Sequence, residues 1–338
     1  MIKLIKQIGI LLPFTTVLLV GCGSDDSSSG SSFQAPNIST TPVAITEAND
    51  DAVAETAFVA LENGSSMSDS GDLAALKAGS ARQSKLLSRV MQQIKDSVQG
   101  TATSSNQQPQ FLPIGVVQSA TENCDVSGTV MITTNTANVV QSENDISAGD
   151  YFTMTANACD DGFDTVSGSL TFTFADGNLF RDIRIVFSNF RVNDGVDIVT
   201  VHGDIRLQLS DSLITLNSSN STITVSGSSL FFVGSDSDAV HITDYSITVV
   251  TSGASYTIDS TMTVDSTMAD GRLTISASAI TGSVNEENPS SGSIEIVGNA
   301  SKLTVVILST TQLRLDLDLG NDGSVDNSET VAWTSLNN

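Results

Sequence analysis

Between residues 255 and 265 the chain reads SYTIDSTMTVD, which puts Tyr256, Ile258, Met262 and Val264 on one side of an extended backbone. Thr257, Asp259, Thr261, Thr263 and Asp265 fall on the other side. Successive side chains of a strand point to opposite faces, so this period of two is the mark of a half-buried β-strand. It recurs in SLTFTF (Leu170, Phe172, Phe174), DIRLQL (Ile205, Leu207, Leu209), RLTISASA (Leu273, Ile275, Ala277, Ala279) and QLRLDLDL (Leu313, Leu315, Leu317, Leu319). Asp-Gly pairs at 161–162, 176–177, 194–195, 270–271 and 322–323 punctuate the runs, and such pairs favour tight turns. No crossover helices intervene, so the expected fold is mainly β: a long antiparallel meander of about twelve or more strands. A sheet of that length does not stay flat and is expected to curl over its apolar face into a barrel, a half-barrel or a sandwich.

Hydrophobic residues make up 39% of the 338 positions, enough to build a core, while 38 acids against 14 bases give a formal charge of −24. That surface repels phosphate backbones and argues against a nucleic-acid partner. Alternation alone also suits a membrane barrel with its apolar face on lipid. Aromatics for interfacial girdles are only 5%, however, and the chain closes on Ser335-Leu336-Asn337-Asn338. The apolar face is therefore read as internal.

The N-terminus has a different build. Met1 to Lys6 is a short basic start, and Ile8 to Val20 is a largely apolar run, too short to span a bilayer and of signal-peptide size. Leu19-Val20-Gly21-Cys22 resembles the bacterial lipobox. The resemblance implies that residues 1–21 are a lipoprotein signal peptide, that the Cys22 thiol becomes a diacylglyceryl thioether and that its new amino terminus is acylated. The membrane is then the first partner, at about 0.8 kcal/mol per buried methylene. An ordinary secretory leader with an incidental cysteine is the plainer alternative. Gly23 and Ser24 after the cysteine favour the outer over the inner membrane, whereas Asp25 and Asp26 weigh the other way. Residues 22–44 are polar and read as a flexible tether.

Residues 45–100 read as a helical segment with two amphipathic helices. The first opens at Thr46 as N-cap, carries Val53, Ala57, Phe58 and Leu61 on one face and meets Asn63-Gly64 as a stop. The second, from Ala81 to Val98, has a stripe of Leu87, Val90, Met91, Ile94 and Val98. Lys77, Arg82, Lys85, Arg89 and Lys95 lie in or beside it. These bases either meet acidic neighbours or touch anionic lipid. Residues 101–115 form a polar linker and 116–338 the β domain.

Two further cysteines, Cys124 and Cys159, read as a disulfide in an exported chain. A metal or redox site is the alternative, although neither lies in a CxxC and no histidine is near in sequence. CDVSGTVMITT at 124–134, SAGDYFTMTANACDDGFDTVSGSLTFTF at 147–174 and ITEANDDAVAET at 45–56 resemble a loose group of uncharacterised proteobacterial lipoproteins. That resemblance implies a disulfide-clipped, β-rich domain and supplies no catalytic residues.

Motifs for chemistry are scarce. His202 and His241 both lie in strand patterns, with Asp204 two residues after the first and Asp244 three after the second. A serine hydrolase needs a base placed beside its nucleophile, and no GxSxG, HExxH or phosphate loop specifies one. Ordinary strand histidines are the simpler reading. DLGNDGSVDNSE, from Asp318 to Glu329, puts Asp318, Asp322, Asp326 and Glu329 where a calcium loop would have ligands, but Gly320 replaces one and strand patterns flank it. A β-hairpin loop accounts for it equally. No cofactor is called for. The expectation is a non-enzymatic envelope lipoprotein that binds a lipid, fatty acid or hydrocarbon in its apolar concavity or helps it cross the envelope. The alternative is a structural or interaction lipoprotein that partners an outer-membrane barrel or acts as a surface adhesin-like module.

Overall fold

The computed structural model describes residues 33–66 and most of 118–336, all but 125, 136–146, 161, 163, 177–180, 194, 196–197, 211–219, 235–237 and 287. Cys22, the leader, the second helical pattern at 81–98 and the linker at 101–115 lie outside the described residues.

A single sheet of fourteen strands carries the fold, and every strand pairs antiparallel with the one before it. The strands are β1 (Gln118–Asn123), β2 (Ser127–Thr134), β3 (Tyr151–Asp160), β4 (Thr165–Phe174), β5 (Asp182–Asn193), β6 (Ile198–Leu209) and β7 (Asn220–Val233). They continue as β8 (Ala239–Ser252), β9 (Ser255–Ser266), β10 (Gly271–Ser283), β11 (Ser291–Val297), β12 (Lys302–Ser309), β13 (Gln312–Asp318) and β14 (Asn327–Ala332). Four of the five Asp-Gly pairs fall between consecutive strands, and in the fifth Gly271 opens β10. Edge strands β1 and β14 do not pair with each other, so the sheet is not closed into a barrel.

One face holds the core. Leu170, Phe172 and Phe174 on β4, Ile183, Ile185 and Phe187 on β5, and so on to Leu313, Leu315 and Leu317 on β13 are buried in one continuous cluster. The alternation read from the sequence has two breaks. Ala279 does not join Leu273, Ile275 and Ala277 inside, because the register slips between Ala277 and Ile280; Ala279 takes φ +49 and Ile280 goes inward instead. Leu319 is 47% exposed, because β13 ends at Asp318.

Similar slips occur in the middle of most strands from β2 to β11: at Asn157–Ala158, around Gly168, between Phe187 and Phe190, beside Ile205, at Asp244–Tyr245 and at Ser278–Ala279. A bulge adds a residue to one strand and sharpens its bend. A line of bulges across neighbouring strands is a crease, and it curls the sheet over its apolar side. Gly168 shows why the crease needs glycine. Its φ is +92, and a Cβ there would stand 2.0 Å from the Asn189 carbonyl oxygen.

The helix α1 (Asp50–Ser66) lies on the concave face against β8, β9, β11 and β12. Val53, Ala54, Ala57 and Ala60 are fully buried, Leu61 nearly so, and Phe58 packs on Trp333 with ring centroids 4.9 Å apart. Three alanines on the buried side let the helix axis approach the sheet closely. Its entry is a turn in which the Asn49 side chain accepts the Thr46 N–H at 2.7 Å; Thr46, expected as the N-cap, instead opens this preceding turn, and the α-helix starts at Asp50. Asn63-Gly64 does not end the helix, which continues through Ser66. Of the two expected helices only this one falls on described residues.

Residues 33–45 form a strap that joins the two faces of the sheet. On the outer face Phe33 meets β6 and β7. Farther along, the Arg272 N–H donates to the Thr41 carbonyl at 2.9 Å and the Val43 N–H to the Arg272 carbonyl at 3.2 Å. The strap can sit there only because Gly271 lacks a side chain: a Cβ would be 2.5 Å from the Thr41 oxygen. Ile45 then enters the core, its N–H donating to Ser301 Oγ at 2.7 Å.

Candidate functional site

The register aligns five side chains in one row across the outer face. His202 on β6 stands opposite Phe231 on β7, Phe231 opposite His241 on β8, His241 opposite Asp265 on β9, and Asp265 opposite Arg272 on β10. Phe33 of the strap stacks on the His202 ring at 4.1 Å and tilts against Phe231 at 5.4 Å. Phe231 in turn stacks on His241 at 3.7 Å. These rings therefore present their faces to one another and not to solvent.

Polar contacts extend the row. Ser229 Oγ lies 2.9 Å from His241 Nε2, and His241 Nδ1 lies 3.7 Å from Asp265 Oδ2. Asp265 is 1% exposed although it sits on the outer side of its strand, beneath the arm formed by Arg272 and the strap. Both its oxygens accept from that guanidinium, Nε at 2.6 Å and Nη2 at 2.8 Å, the strong bidentate form of ion pair. The acid expected beside each histidine is not the one found. Asp204 pairs with Arg184 at 3.2 Å and accepts from Ser228. Asp244 is exposed, at φ +48 in its bulge.

Burial holds both imidazoles below their ordinary value. For His241 burial is the largest cause and Arg272 adds to it, and together they outweigh the upward pull of Asp265. The Asn189 N–H approaches His202 Nδ1 at 3.4 Å, so that nitrogen is the acceptor and the ring is neutral. Chemically the cluster offers an imidazole bonded to a serine hydroxyl. The carboxylate behind it is already occupied by an arginine and stands beyond hydrogen-bond distance of the ring.

The four calcium-loop residues do not converge. Asp318 accepts the Asp322 and Gly323 N–H groups at 3.1 and 2.8 Å. Burial pushes this carboxyl up, and the backbone donors outweigh that to hold it below the usual range. Asp322 accepts from the Ser324 N–H and Asp326 from the Leu319 N–H, as in an ordinary hairpin loop. Glu329 lies elsewhere, with Asp50 and Asp51 at the start of α1, where the three carboxylates approach within 4.8 Å. Burial and that crowding raise both Asp50 and Glu329.

Cys124 and Cys159 form a disulfide with their Cα atoms 5.5 Å apart. It joins the end of β1 to β3, a part of the sheet in which Thr134 and Ala156 are the buried side chains among the described residues. Inside the core, the Tyr256 and Ser260 hydroxyls are buried without a hydrogen-bond partner, and burial pushes the Tyr256 phenol up to about 12. No described helix is long and apolar enough to cross a membrane.

These features define a class by architecture: an open antiparallel meander, creased over an apolar core, with one helix seated in its concavity and a strap outside. Compared with known proteins, the chain matches no family model, no curated protein and no solved structure.

Proposed function

We propose that this is a non-enzymatic envelope lipoprotein, held to the membrane through acyl groups on Cys22. Its β domain acts as a structural or interaction module that partners an outer-membrane barrel. The observation that carries this reading is the filled concavity: α1 lies on the apolar face, and the inward side chains of β4 to β13 are buried in one cluster. A protein that carries a lipid needs empty apolar volume, whereas a packed core at ordinary density leaves none. The working surfaces are then the outer face and the two sheet edges.

A second reading keeps the apolar ligand. It is favoured by the unpartnered Tyr256 and Ser260 hydroxyls inside the core, since a buried polar group without a partner costs about 1–3 kcal/mol and the head of an amphiphile would satisfy it. One experiment separates the two: native mass spectrometry of the domain made without Cys22 and without detergent. The interaction reading predicts the bare chain mass and no binding of a fluorescent fatty acid. A stoichiometric lipid adduct would replace it with the carrier reading.

A further inference from the structure

We infer that the outer face of β5 to β7 is the surface this domain turns toward the membrane, where it meets phospholipid phosphates; the inference rests on the lipidation of Cys22. The first argument is reach. Only ten residues separate Cys22 from Phe33, and Phe33 is held against His202 on β6 and Phe231 on β7. Fully extended, that stretch covers at most about 40 Å, while fourteen strands at their usual spacing measure about 60 Å across. The domain thus hangs from the middle of its outer face, not from the point where α1 enters the core.

The second argument is charge. Of the seven Lys and Arg between residues 118 and 338, four (Arg181, Arg184, Arg191 and Arg206) lie between 181 and 206, on or beside β5 and β6. The stretch 286–329 has eight acids against two bases, so the sheet has an acidic pole at β11 to β14 and a far less acidic one at β5 to β7, where Phe33 begins the strap. An anionic leaflet attracts arginine, roughly fivefold in affinity for each one at the surface, and repels the acidic pole within about 10 Å. Arg184 and Arg206 face outward, 60% and 53% exposed, and pair with Asp204 and Asp182. Arg184 makes a single contact at 3.2 Å, an exposed pair of the kind that holds weakly, so phosphate oxygens can take over its guanidinium. Arg206 is held by Asp182 through two donors and adds charge and its remaining N–H groups. Thr173 on β4 stands opposite Arg184 and Ser226 on β7 opposite Arg206.

The test uses the full lipidated protein in phosphatidylglycerol-containing vesicles. Its Cys22 thiol is consumed by the thioether and Cys124 is bonded to Cys159, so a single introduced cysteine is the one reactive thiol. Gln208→Cys on β6 and Glu295→Cys on β11, both at exposed positions, are each labelled with a donor dye, and energy transfer to a headgroup-labelled acceptor lipid is measured. At least about twofold more transfer from position 208 is expected, because the positions differ in height by tens of ångströms on a sheet this wide. In the Arg184→Glu/Arg206→Glu background, with its melting temperature checked, the difference shrinks. Equal transfer, or more from 295, overturns the proposed face while leaving the anchor intact. An N-terminal peptide of unmodified mass, in protein that does not float with vesicles, overturns the anchor and the face together.

Discussion

At the scale of single residues, His202 and His241 make the outer face sensitive to acid. Burial holds both below 6.5 in the folded chain, so the unfolded chain takes up protons first. Stability is full above about pH 6.5 and falls as the pH drops from there through the folded-state values. Thermal melts at steps between pH 7.5 and 5 should show a falling midpoint that the double variant His202→Asn/His241→Asn flattens; an identical slope in the variant would mean that neither ring senses protons. The same histidines show where residue-level reading stops. Asp204 and Asp244 are near them in sequence, but Ser229 and Asp265 are near His241 in space and Phe33 and Phe231 near His202, because register between strands sets the neighbours and bulges shift that register. A Ser–His–Asp arrangement therefore arises that no linear spacing announces, and Arg272 holds its carboxylate.

The strands are the most legible elements. Their alternation depends only on which side of the backbone is wet, and that is written locally. The bulges are not, although a signal was present: Val-Ser-Gly followed by Ser or Thr occurs at 126–129, 166–169 and 225–228, each time at the crease. The apolar face of α1 was legible at Val53, Ala57, Phe58 and Leu61. Its place inside the sheet was not, because an alanine-rich stripe fits a surface or a core equally well. Seated as it is, α1 should not tolerate charge. Ala57→Arg puts an unpaired cation where the native side chain is fully buried and should cost about 3 kcal/mol or more, read as a lower denaturation midpoint. Glu55→Ala on the same helix, at a half-buried position, should change stability far less. Breaking the disulfide acts at the opposite end of the sheet. Cys124→Ala/Cys159→Ala releases a loop of 35 residues and should cost up to about 4 kcal/mol, with hydrogen exchange rising first in β1 to β3.

For the whole molecule, one apolar cluster runs from β4 to β13 and includes the helix, so sheet and helix should unfold together. The charge is arranged as unevenly as the contacts are evenly: the acidic pole lies away from Phe33, and Phe33 is the end of the strap that leads toward Cys22. That a curled meander would form was legible from strand count alone. What fills it was not, since a hollow face and a packed one need the same alternation. Hydrogen exchange of the α1 amides, with and without a fluorescent fatty acid, tests the filled concavity most directly. The N–H groups of Val53, Ala54 and Ala57 should exchange as slowly as those of central strands β8 and β9, and the fatty acid should not change them. Fast exchange in α1 alone, or release of the helix when the fatty acid is added, would mean that the helix is a lid over a binding site and would contradict a packed core.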